Sequence, residues 1–431
     1  MRNCPGKLLI AVVLASSAGM GFAQTYAGLT SLQTGFGTPI VAHSARSLAL
    51  GGVGIASQTT PDALAVNPAL LAWGNGPADV ILSGKISRQQ ESRSYPVYDS
   101  FNAVLVYNEY AMNDHLFSEV DGGVRFTLPQ NAIPAVALAV GTFPYYSHDY
   151  RYQEEVRDRY ASGGVVDRVL GWNRIDMDGE VRAVLLGAGV EPVTNLALGV
   201  SAGAILNHLG STWSVDYANP DSADNSVRDD FETEGMTWIL TLGAAYRLSP
   251  RVTVGFRSEI PVGKWELAAS QTVNGQQLYP DMSSVSHKYP LSIGGGIQYK
   301  PMSLHRPTLM LDVNWTDWSA AEINGESANF DDVLEIRAGV EQRVFENVPV
   351  RFGCAYIPSN LDRELALTMI SLGTGFQAGA FRLDVGTEFG RRKYRLVDPF
   401  PDHLYGGVDR VDPDQVEEWI MNGILSVTYT F

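Results

Sequence analysis

The sequence predicts an all-β protein, a transmembrane antiparallel β-barrel of about 14 strands with an N-terminal luminal hatch, or plug. Three observations predict this class. The chain begins with an export signal, and after residue 25 it has no run of about 18 apolar residues that a membrane helix would need. Several strand-length segments alternate apolar and polar side chains. The predicted organisation is a signal peptide over residues 1-23, a hatch over 24-76 and an outer-membrane barrel over 77-431.

The first 23 residues have the order of a secretory signal peptide. Arg2 and Lys7 supply a positive start, residues 8–18 form an apolar core, and the small-residue end is Gly-Phe-Ala at 21–23. This order predicts cleavage after residue 23. The alternative interpretation is a buried N-terminal helix. Cleavage removes two basic residues, which changes the formal net charge from -16 to about -18.

The composition excludes several function classes. With 31 basic and 47 acidic side chains, the protein lacks the basic surface that nucleic acid requires. Of its two cysteines, Cys4 lies in the predicted signal peptide, so Cys354 has no partner for a disulfide. The seven histidines show no zinc-site spacing, and no nucleophile motif such as G-x-S-x-G is present. We therefore predict no enzyme activity, no metal and no cofactor.

Alternation of side chains distinguishes a barrel from a soluble exported sandwich, which the signal peptide also permits. In the last segment Leu425 and Val427 share one face, Ser426 and Thr428 share the other, and Ile424 is an apolar exception. Barrel walls require this pattern because one face meets lipid and the other meets the lumen. Predicted strand lengths of about 10 to 16 residues, with aromatics near both ends, favour the barrel over the sandwich. Four further segments alternate in the same way, residues 237–247, 309–315, 334–341 and 381–389.

Turn-rich segments set the strand count. Short connections are predicted near residues 129–133, 191–195, 248–251, 300–307, 346–348 and 377–380. Long polar loops are predicted at about 148–178, 216–232, 267–287, 320–331, 358–365 and 396–416. Short turns at one end and long loops at the other are typical of the periplasmic and extracellular ends of a barrel. Residues 101–107 are assigned to the first external loop, after an opening strand near 78–89.

The segment ahead of the barrel carries a group of glycines and an Asn-Pro turn. Gly51, Gly52 and Gly54 permit tight backbone turns, and Asn67-Pro68-Ala69 is a turn or helix-start signal. A compact segment in this position is predicted to fill the lumen as a hatch. A dinucleotide-binding loop is excluded because Ser57 stands where the third glycine of G-x-G-x-x-G is required.

These residues resemble the start of the long-chain fatty-acid transporter family (FadL/TodX-like). The family stretch AR...GGAG.A...D..A...NPA.L is similar to residues 43–69. Residues 312–319 look like its D..W..WS strand, and residues 336–341 with 350–356 look like its paired R.G.E...R.GY.Y strands. The resemblance implies a fourteen-stranded barrel closed by a hatch. It also implies uptake of fatty acids or similar hydrophobic compounds, with extracellular capture and lateral release.

The resemblance also implies partners and an assembly signal. It places the chain in the outer membrane of a Gram-negative bacterium, as a monomer in contact with lipid and lipopolysaccharide. The strand that ends on Tyr429 and Phe431 looks like the signal that barrel-assembly machinery recognises.

Candidate ligand contacts lie at the mature N-terminus, which the resemblance places in the lumen. They are Gln24, Thr25, Tyr26, Leu29 and Phe36, and the alternative is simple packing within the hatch. Gly51, Gly52, Asn67, Pro68 and Ala69 are predicted to hold the hatch rather than contact ligand.

Inward-facing charges and external acids are each given a structural interpretation. Five arginines are assigned to the inner face and are predicted to pair with acids rather than with ligand, because an unpaired buried charge is costly. They are Arg182, Arg247, Arg337, Arg351 and Arg382, and the predicted acids are Glu335, Glu341, Asp384 and Glu388. The loop acids between Asp398 and Asp414 do not follow an EF-hand, so a solvated loop is favoured over calcium binding.

Two function classes stay open. The first is transport of hydrophobic compounds, and the second is a PorV-like outer-membrane component of a protein secretion system. An apolar groove near the loops would favour transport, whereas an open lumen with a protein-binding rim would favour secretion. A general diffusion porin is disfavoured because a hatch would block its water-filled pore.

Overall fold

The computed structural model describes residues 36–128, 136–158, 168–219, 226–277, 284–303, 307–345, 348–410 and 412–431. The predicted signal peptide, the turn near 129–133 and the candidate contacts Gln24, Thr25, Tyr26 and Leu29 lie outside the described residues. None of the helices within the described ranges is long and apolar enough to cross a membrane.

The described chain consists mainly of antiparallel strands, with a few short helices ahead of them and between them. The helices are α1 (Ala45–Ala49) and α2 (Ala63–Val66), with 3-10 turns at Pro68–Trp73, Trp318–Ala320, Arg363–Leu365 and Asp402–Tyr405. The strands are β1 (Thr38–Pro39), β2 (Ala78–Tyr98), β3 (Val104–Thr127), β4 (Val136–Ser147), β5 (Tyr150–Asp158), β6 (Arg168–Val193), β7 (Leu196–Tyr217), β8 (Val227–Ser249), β9 (Val252–Val262), β10 (Trp265–Val273), β11 (Gln276–Gln277), β12 (Ser284–Lys288), β13 (Ser292–Tyr299), β14 (Thr308–Thr316), β15 (Glu322–Ile323), β16 (Glu326–Ser327), β17 (Val333–Phe345), β18 (Val348–Ile357), β19 (Leu367–Ala378), β20 (Phe381–Leu396) and β21 (Asp414–Thr430).

Among these, fourteen long strands form a closed ring, which confirms the predicted strand number. The ring runs in the order β2, β3, β4, β6, β7, β8, β9, β13, β14, β17, β18, β19, β20 and β21. It closes because β2 pairs antiparallel with β21 on one side and with β3 on the other. The remaining strands prolong ring strands or form small hairpins beside them, as β5 does beside β6.

The two faces of the ring strands follow the predicted alternation. In β21 the side chains of Leu425 and Val427 are 50% and 40% exposed, whereas Ser426 and Thr428 are buried. Ile424, the apolar exception, is also buried and packs against α1. Outward apolar residues of the other four segments are likewise exposed, among them Trp238, Leu242, Leu309, Leu311, Leu334, Ile336, Leu383 and Val385.

Several strands, among them β2, β3, β6, β7 and β8, are longer than the predicted 10 to 16 residues, and several predicted loops are strand. β6 has 26 residues, so much of the predicted loop 148–178 belongs to β5 and β6. The predicted loop 216–232 is partly β7 and β8, and 267–287 is partly β10 and β12. The opening strand continues to Tyr98, and residues 104–107 belong to β3, so their assignment to a loop was wrong.

The physical reason is that β5, β6 and β7 carry polar side chains on their outer face here, while Ile175, Met177 and Leu209 are buried on the inner face. Opposite charges lie across neighbouring strands on the outer surface. The pairs are Arg88 with Asp114, Arg151 with Asp176 (2.9 Å), Arg174 with Asp216 (3.0 Å) and Arg391 with Glu417 (2.8 Å). Exposed pairs of this kind contribute little individually, but cross-strand placement of opposite charge is compatible with the ladder. The polar residues therefore lie outside and the apolar residues inside, which is the reverse of the alternation on which the sequence prediction relied.

The predicted loops at this end are folded onto one another. Glu322 of β15 forms ion pairs with Lys264 and Lys288, both at 2.7 Å, and their hydrogen bonds lower the pKa of the Glu322 carboxyl to about 2. Arg410 pairs with three acids of the predicted loop 396–416, Asp398, Asp402 and Asp414. These acids therefore have a cation from the chain itself, and no group of three potential metal ligands occurs in the described residues.

Residues 36–76, here called the N-terminal segment, pack against the inner face of the ring. Glycines on that face allow the approach: a Cβ at Gly255 would overlap the carbonyl oxygen of Ile55, and one at Gly353 would overlap the backbone of Leu50. Gly199 is equally close to Ala69. These glycines lie on β9, β18 and β7, so the segment contacts widely separated parts of the ring.

Within the segment, the glycines and the Asn-Pro turn have different roles. Gly51 and Gly52 have φ of 76° and 84°, a conformation that L side chains rarely adopt, which confirms the predicted tight turn. Gly54 does not share this conformation, and its backbone N–H donates to Asp312. Asn67 caps the 3-10 turn by accepting a hydrogen bond from the Ala69 N–H, with Pro68 at the first position.

Adding a methyl group to the inner wall should loosen the N-terminal segment. We expect Gly255→Ala to lower the free energy of unfolding by about 1–3 kcal/mol, because the backbone at Ile55 must shift. The control is Gly295→Ala on β13, where an added Cβ meets no atom within 4 Å. Thermal unfolding of both variants in detergent would check this, and equal melting temperatures would contradict it.

Candidate functional site

A carboxylate on the wall holds the glycine turn of the N-terminal segment. Asp312 Oδ2 accepts hydrogen bonds from the N–H groups of Gly54 (2.7 Å) and Ile55 (3.0 Å). Asp312 is buried and begins the D..W..WS stretch. Two backbone donors shared by one carboxylate oxygen fix the segment at β14.

Asn67 provides the second attachment, on β8, which β9 and β13 separate from β14 in the ring. Its Nδ2 donates to the carbonyl oxygens of Ile55 (2.7 Å) and Ala244 (3.2 Å), while Oδ1 accepts from Ala69 N. Asn67 thereby joins two turns of the segment to β8.

Phe36 is the one candidate ligand contact within the described residues, and it is fully packed. Its ring lies among those of Tyr289 (4.7 Å between centroids), His287 (5.0 Å), Trp318 (5.6 Å) and Phe330 (5.9 Å). The Tyr289 hydroxyl donates to the Phe36 carbonyl oxygen at 3.1 Å. The structure therefore places Phe36 in an aromatic cluster on the inner face.

Three of the five arginines assigned to the inner face pair with predicted acids. The pairs are Arg337 with Glu335 (2.8 Å), Arg351 with Glu341 and Asp384 (both 2.8 Å), and Arg382 with Asp384 (2.7 Å). This confirms the structural interpretation for them. Glu388 instead accepts a hydrogen bond from Asn422 (2.7 Å), and the Arg247 guanidinium lies 3.8 Å from the ring centroid of Trp73.

The prediction that Arg182 faces inward was wrong. Val181 and Ala183 are fully buried, so Arg182 lies on the outer face with Val184 and Leu186. It forms an ion pair with Glu180 and donates to the carbonyl oxygen of Val120 at 2.9 Å. Residues 183–186 are apolar on both faces, so the sequence does not show on which side Arg182 lies, whereas the burial of Val181 and Ala183 does.

Arg182 lies where the wall opens. β3 pairs with β4 only over Gly122–Thr127 and Ala137–Thr142, although β3 begins at Val104. Beyond Thr142 four consecutive residues of β4, 143–146, are buried, and its register with β6 shifts. Pro144 in this stretch has no N–H to give to a ladder. β4 therefore leaves β3 and turns inward.

The edge of β4 that leaves β3 is occupied by the N-terminal segment. β1 pairs with it through Thr38 and Ser147, and through Pro39 and Tyr146. The opening that results, here called the window, lies between residues 113–121 of β3 and residues 143–153 of β4 and β5. It is limited below by the Arg182–Val120 hydrogen bond. It is limited above by the Gln153 N–H, which donates to Asn113 Oδ1 at 2.8 Å.

A cavity of about 250 Å³ extends from the inner face to the window. The N-terminal segment lines one side of it, from Gly37 to Ala42. Residues on both borders of the window also line it, among them Asn113, Phe117, Ser147 and Arg151. Residues of the inner face and of both window borders therefore line the same cavity.

Solved structures provide the comparison with known proteins. No protein-family model and no curated protein matches the chain. A Pseudomonas aeruginosa FadL homologue superposes with a TM-score of 0.63 at 16% identity, over 92% of this chain and 100% of its own. The chain has the FadL/TodX-like fold.

Two further structures have the same fold. The P. putida toluene transporter TodX gives a TM-score of 0.62 at 14% identity, over 91% of this chain and 99% of its own. The Ralstonia pickettii toluene transporter TbuX gives 0.59 at 16% identity, over 91% and 99%. The fold that the sequence resemblance implied is thereby confirmed at low identity.

Removing the Asn67 side chain should release the N-terminal segment. We expect Asn67→Ala to lower the free energy of unfolding by about 1–3 kcal/mol, because two buried carbonyl groups and one N–H lose their hydrogen-bond partner. Arg46 is the single Lys or Arg in residues 36–76, so limited trypsin digestion reports release there. The control is Asn75→Ala, whose side chain is exposed. Equal cleavage of both variants at Arg46 would show that Asn67 does not hold the segment.

Proposed function

We propose that the chain is a FadL/TodX-like transporter of small hydrophobic compounds in a Gram-negative outer membrane. Residues 1-23 would direct export, residues 24-76 would form the hatch, and residues 77-431 the barrel. The observation that carries the proposal is the 250 Å³ cavity that connects the N-terminal segment with the window. A solute captured at the extracellular side would pass the hatch and leave sideways through the window into the membrane.

Lateral release suits an apolar solute. Such a solute gains free energy when it leaves water for hydrocarbon, at about 25 cal/mol per Å² of apolar surface. A charged lipopolysaccharide layer hinders its direct entry, and the lumen offers a route around that layer. Passage of the solute needs no covalent chemistry and no bound cofactor, so the proposal is for a channel rather than an enzyme.

The outer surface supports a membrane location. Apolar side chains such as Leu186 cover the outer face of the ring strands. At the short-turn end, the exposed Phe381 and Phe431 flank the half-buried Tyr429, with ring centroids 4.7 Å apart in each adjacent pair. Aromatic girdles of this kind are typical of barrels at the membrane interface. We propose that Tyr429 and Phe431 also serve as the signal for barrel-assembly machinery, and that a monomer contacts lipid and lipopolysaccharide.

The substrate class is supported by the comparisons only at a coarse level. TodX and TbuX are described as toluene transporters, and CymD as a monoaromatic hydrocarbon channel. Long-chain fatty acids stay within the proposal because of the sequence resemblance. The PorV-like secretion role would need an open lumen, whereas the described N-terminal segment packs across the inner face of the ring.

Blocking the window should stop uptake. We expect Ser147→Cys, in a Cys354→Ser background, to lose most uptake after reaction with a bulky maleimide, because Ser147 lines both the cavity and the window. The measurement is uptake of labelled toluene and oleate by cells that lack their own transporter. The unreacted variant is the control. Undiminished uptake after complete modification would exclude the window as the exit.

Charge on the outer surface should be costly in proportion to its depth. We expect Leu186→Arg to destabilise the folded barrel in vesicles by about 2–4 kcal/mol, and Val193→Arg, beside a short turn, by about 0–1 kcal/mol. Both parent side chains are exposed, at 65% and 59%. Urea unfolding in lipid vesicles measures the difference. Equal effects of the two substitutions would argue against a membrane around the ring.

A further inference from the structure

A second, smaller cavity lies beneath the N-terminal segment. It has a volume of about 60 Å³ and shares Pro39, Ile40, Val41, Trp318 and Glu335 with the larger cavity. One water needs only about 10–15 Å³ by this measure, so the space can hold a small polar group. The shared residues separate the two cavities. An elongated ligand in the larger cavity would therefore have to extend only past Trp318 and Ile40 to reach the smaller one.

The smaller cavity is lined by buried polar atoms that have no hydrogen-bond partner in the described part of the chain. They are His43 Nδ1, the Tyr145 hydroxyl, Asn314 Oδ1 and Arg257 Nε. The side chains of His43, Tyr145 and Asn314 belong to residues more than nine-tenths buried. An unsatisfied buried donor or acceptor costs about 1–3 kcal/mol. Four such atoms around one cavity indicate that it is built to receive hydrogen-bonding groups.

Arg257 differs from the other arginines of the inner face. Arg46, Arg337, Arg351 and Arg382 have carboxylate oxygens at 2.7–3.0 Å. Arg257 has its ion pair with Glu259 at 3.9 Å, beyond hydrogen-bond distance. Its guanidinium therefore keeps donor capacity that faces the cavity.

The charges of the lining favour a neutral group over an anion. Arg257 is balanced by Glu259, and Glu335 is bound to Arg337 at 2.8 Å. A ligand carboxylate would add a negative charge beside Glu259 and Glu335, with only Arg257, which already faces Glu259, to offset it, and like charges at short range are costly. A hydroxyl or carbonyl group can instead bond to Arg257, Tyr145 and Asn314 without adding charge.

We propose that the smaller cavity is a subsite for the neutral oxygen-bearing head group, a hydroxyl or a carbonyl, of an amphipathic substrate. The apolar body of that substrate lies in the larger cavity against Ile40 and Trp318. This inference rests on the proposed transport function and narrows its substrate class. A site built to hydrogen-bond an oxygen discriminates strongly against an isosteric hydrocarbon, because the hydrocarbon leaves the polar groups of the site unpaired.

Three ligands of nearly the same shape test the proposal. Isothermal titration of the full-length protein in detergent would compare 4-methylphenol, p-xylene and 4-methylbenzoate. We expect 4-methylphenol to bind at least about tenfold more tightly than p-xylene, the ratio that corresponds to one buried hydrogen bond. We expect 4-methylbenzoate to bind more weakly than 4-methylphenol, because of Glu259 and Glu335.

A variant links the preference to the cavity. Tyr145→Phe keeps the ring and removes the unbonded hydroxyl, so the preference for 4-methylphenol should fall at least about threefold while p-xylene binding is unchanged. Retained p-xylene binding shows that the variant is folded. The matched control is Tyr356→Phe on β18, whose side chain is exposed and should leave all three affinities unchanged.

The outcomes separate the inference from the proposed function. Equal binding of 4-methylphenol and p-xylene would mean that the cavity holds only water, and tightest binding of 4-methylbenzoate would mean an anion site. Either result overturns the inference and leaves hydrophobe transport standing. Absence of binding by all three ligands, together with absent uptake of toluene and oleate, would overturn both.

Discussion

The structure depends on one constraint: in hydrocarbon, every backbone N–H and C=O group needs a partner from the chain itself. In a closed ring of fourteen strands, each strand that pairs with both of its neighbours meets this constraint. The β2–β21 ladder closes the ring. In the part of the chain that the structure describes, the ladder is interrupted where β3 and β4 separate after six paired residues. There Arg182 donates to the carbonyl oxygen of Val120, and β1 pairs with the freed edge of β4.

The wall and the N-terminal segment therefore depend on each other structurally. Inward glycines on β7, β9 and β18 let the backbone of the segment lie directly on the wall. Hydrogen bonds from Gly54 to Asp312 and from Asn67 to the Ala244 carbonyl oxygen hold the segment there. The same segment forms the partition between the two cavities and one border of the space behind the window. A movement of residues 37–42 would thus alter the window, the larger cavity and the smaller cavity together.

The sequence predicted the parts of the fold that have a periodic signal. Alternation identified the outward residues, as at Leu425 and Val427, and turn residues gave the strand number. The parts of β6 and β7 beyond the predicted strands were missed because residues such as Arg174 and Asp216 are polar on the outer surface while Ile175 is buried inside, which reverses the alternation. The window was not predictable because it is a change of pairing partner. Pro144 and the outward Arg182 lie at the window, but they indicate an opening only once the position of β3 beside them is known.

The length of β6 has a consequence for where solutes are met. Its 26 residues span about 85 Å along the strand at about 3.3 Å per residue, and a tilt of about 35–45° leaves about 60–70 Å of height. An apolar band about 25 Å tall takes less than half of this. In the proposed orientation the remainder would extend beyond the bilayer on the extracellular side. Solutes would then enter the barrel above the inner sugars of lipopolysaccharide. Supply then depends on diffusion through open medium rather than through the sugar layer.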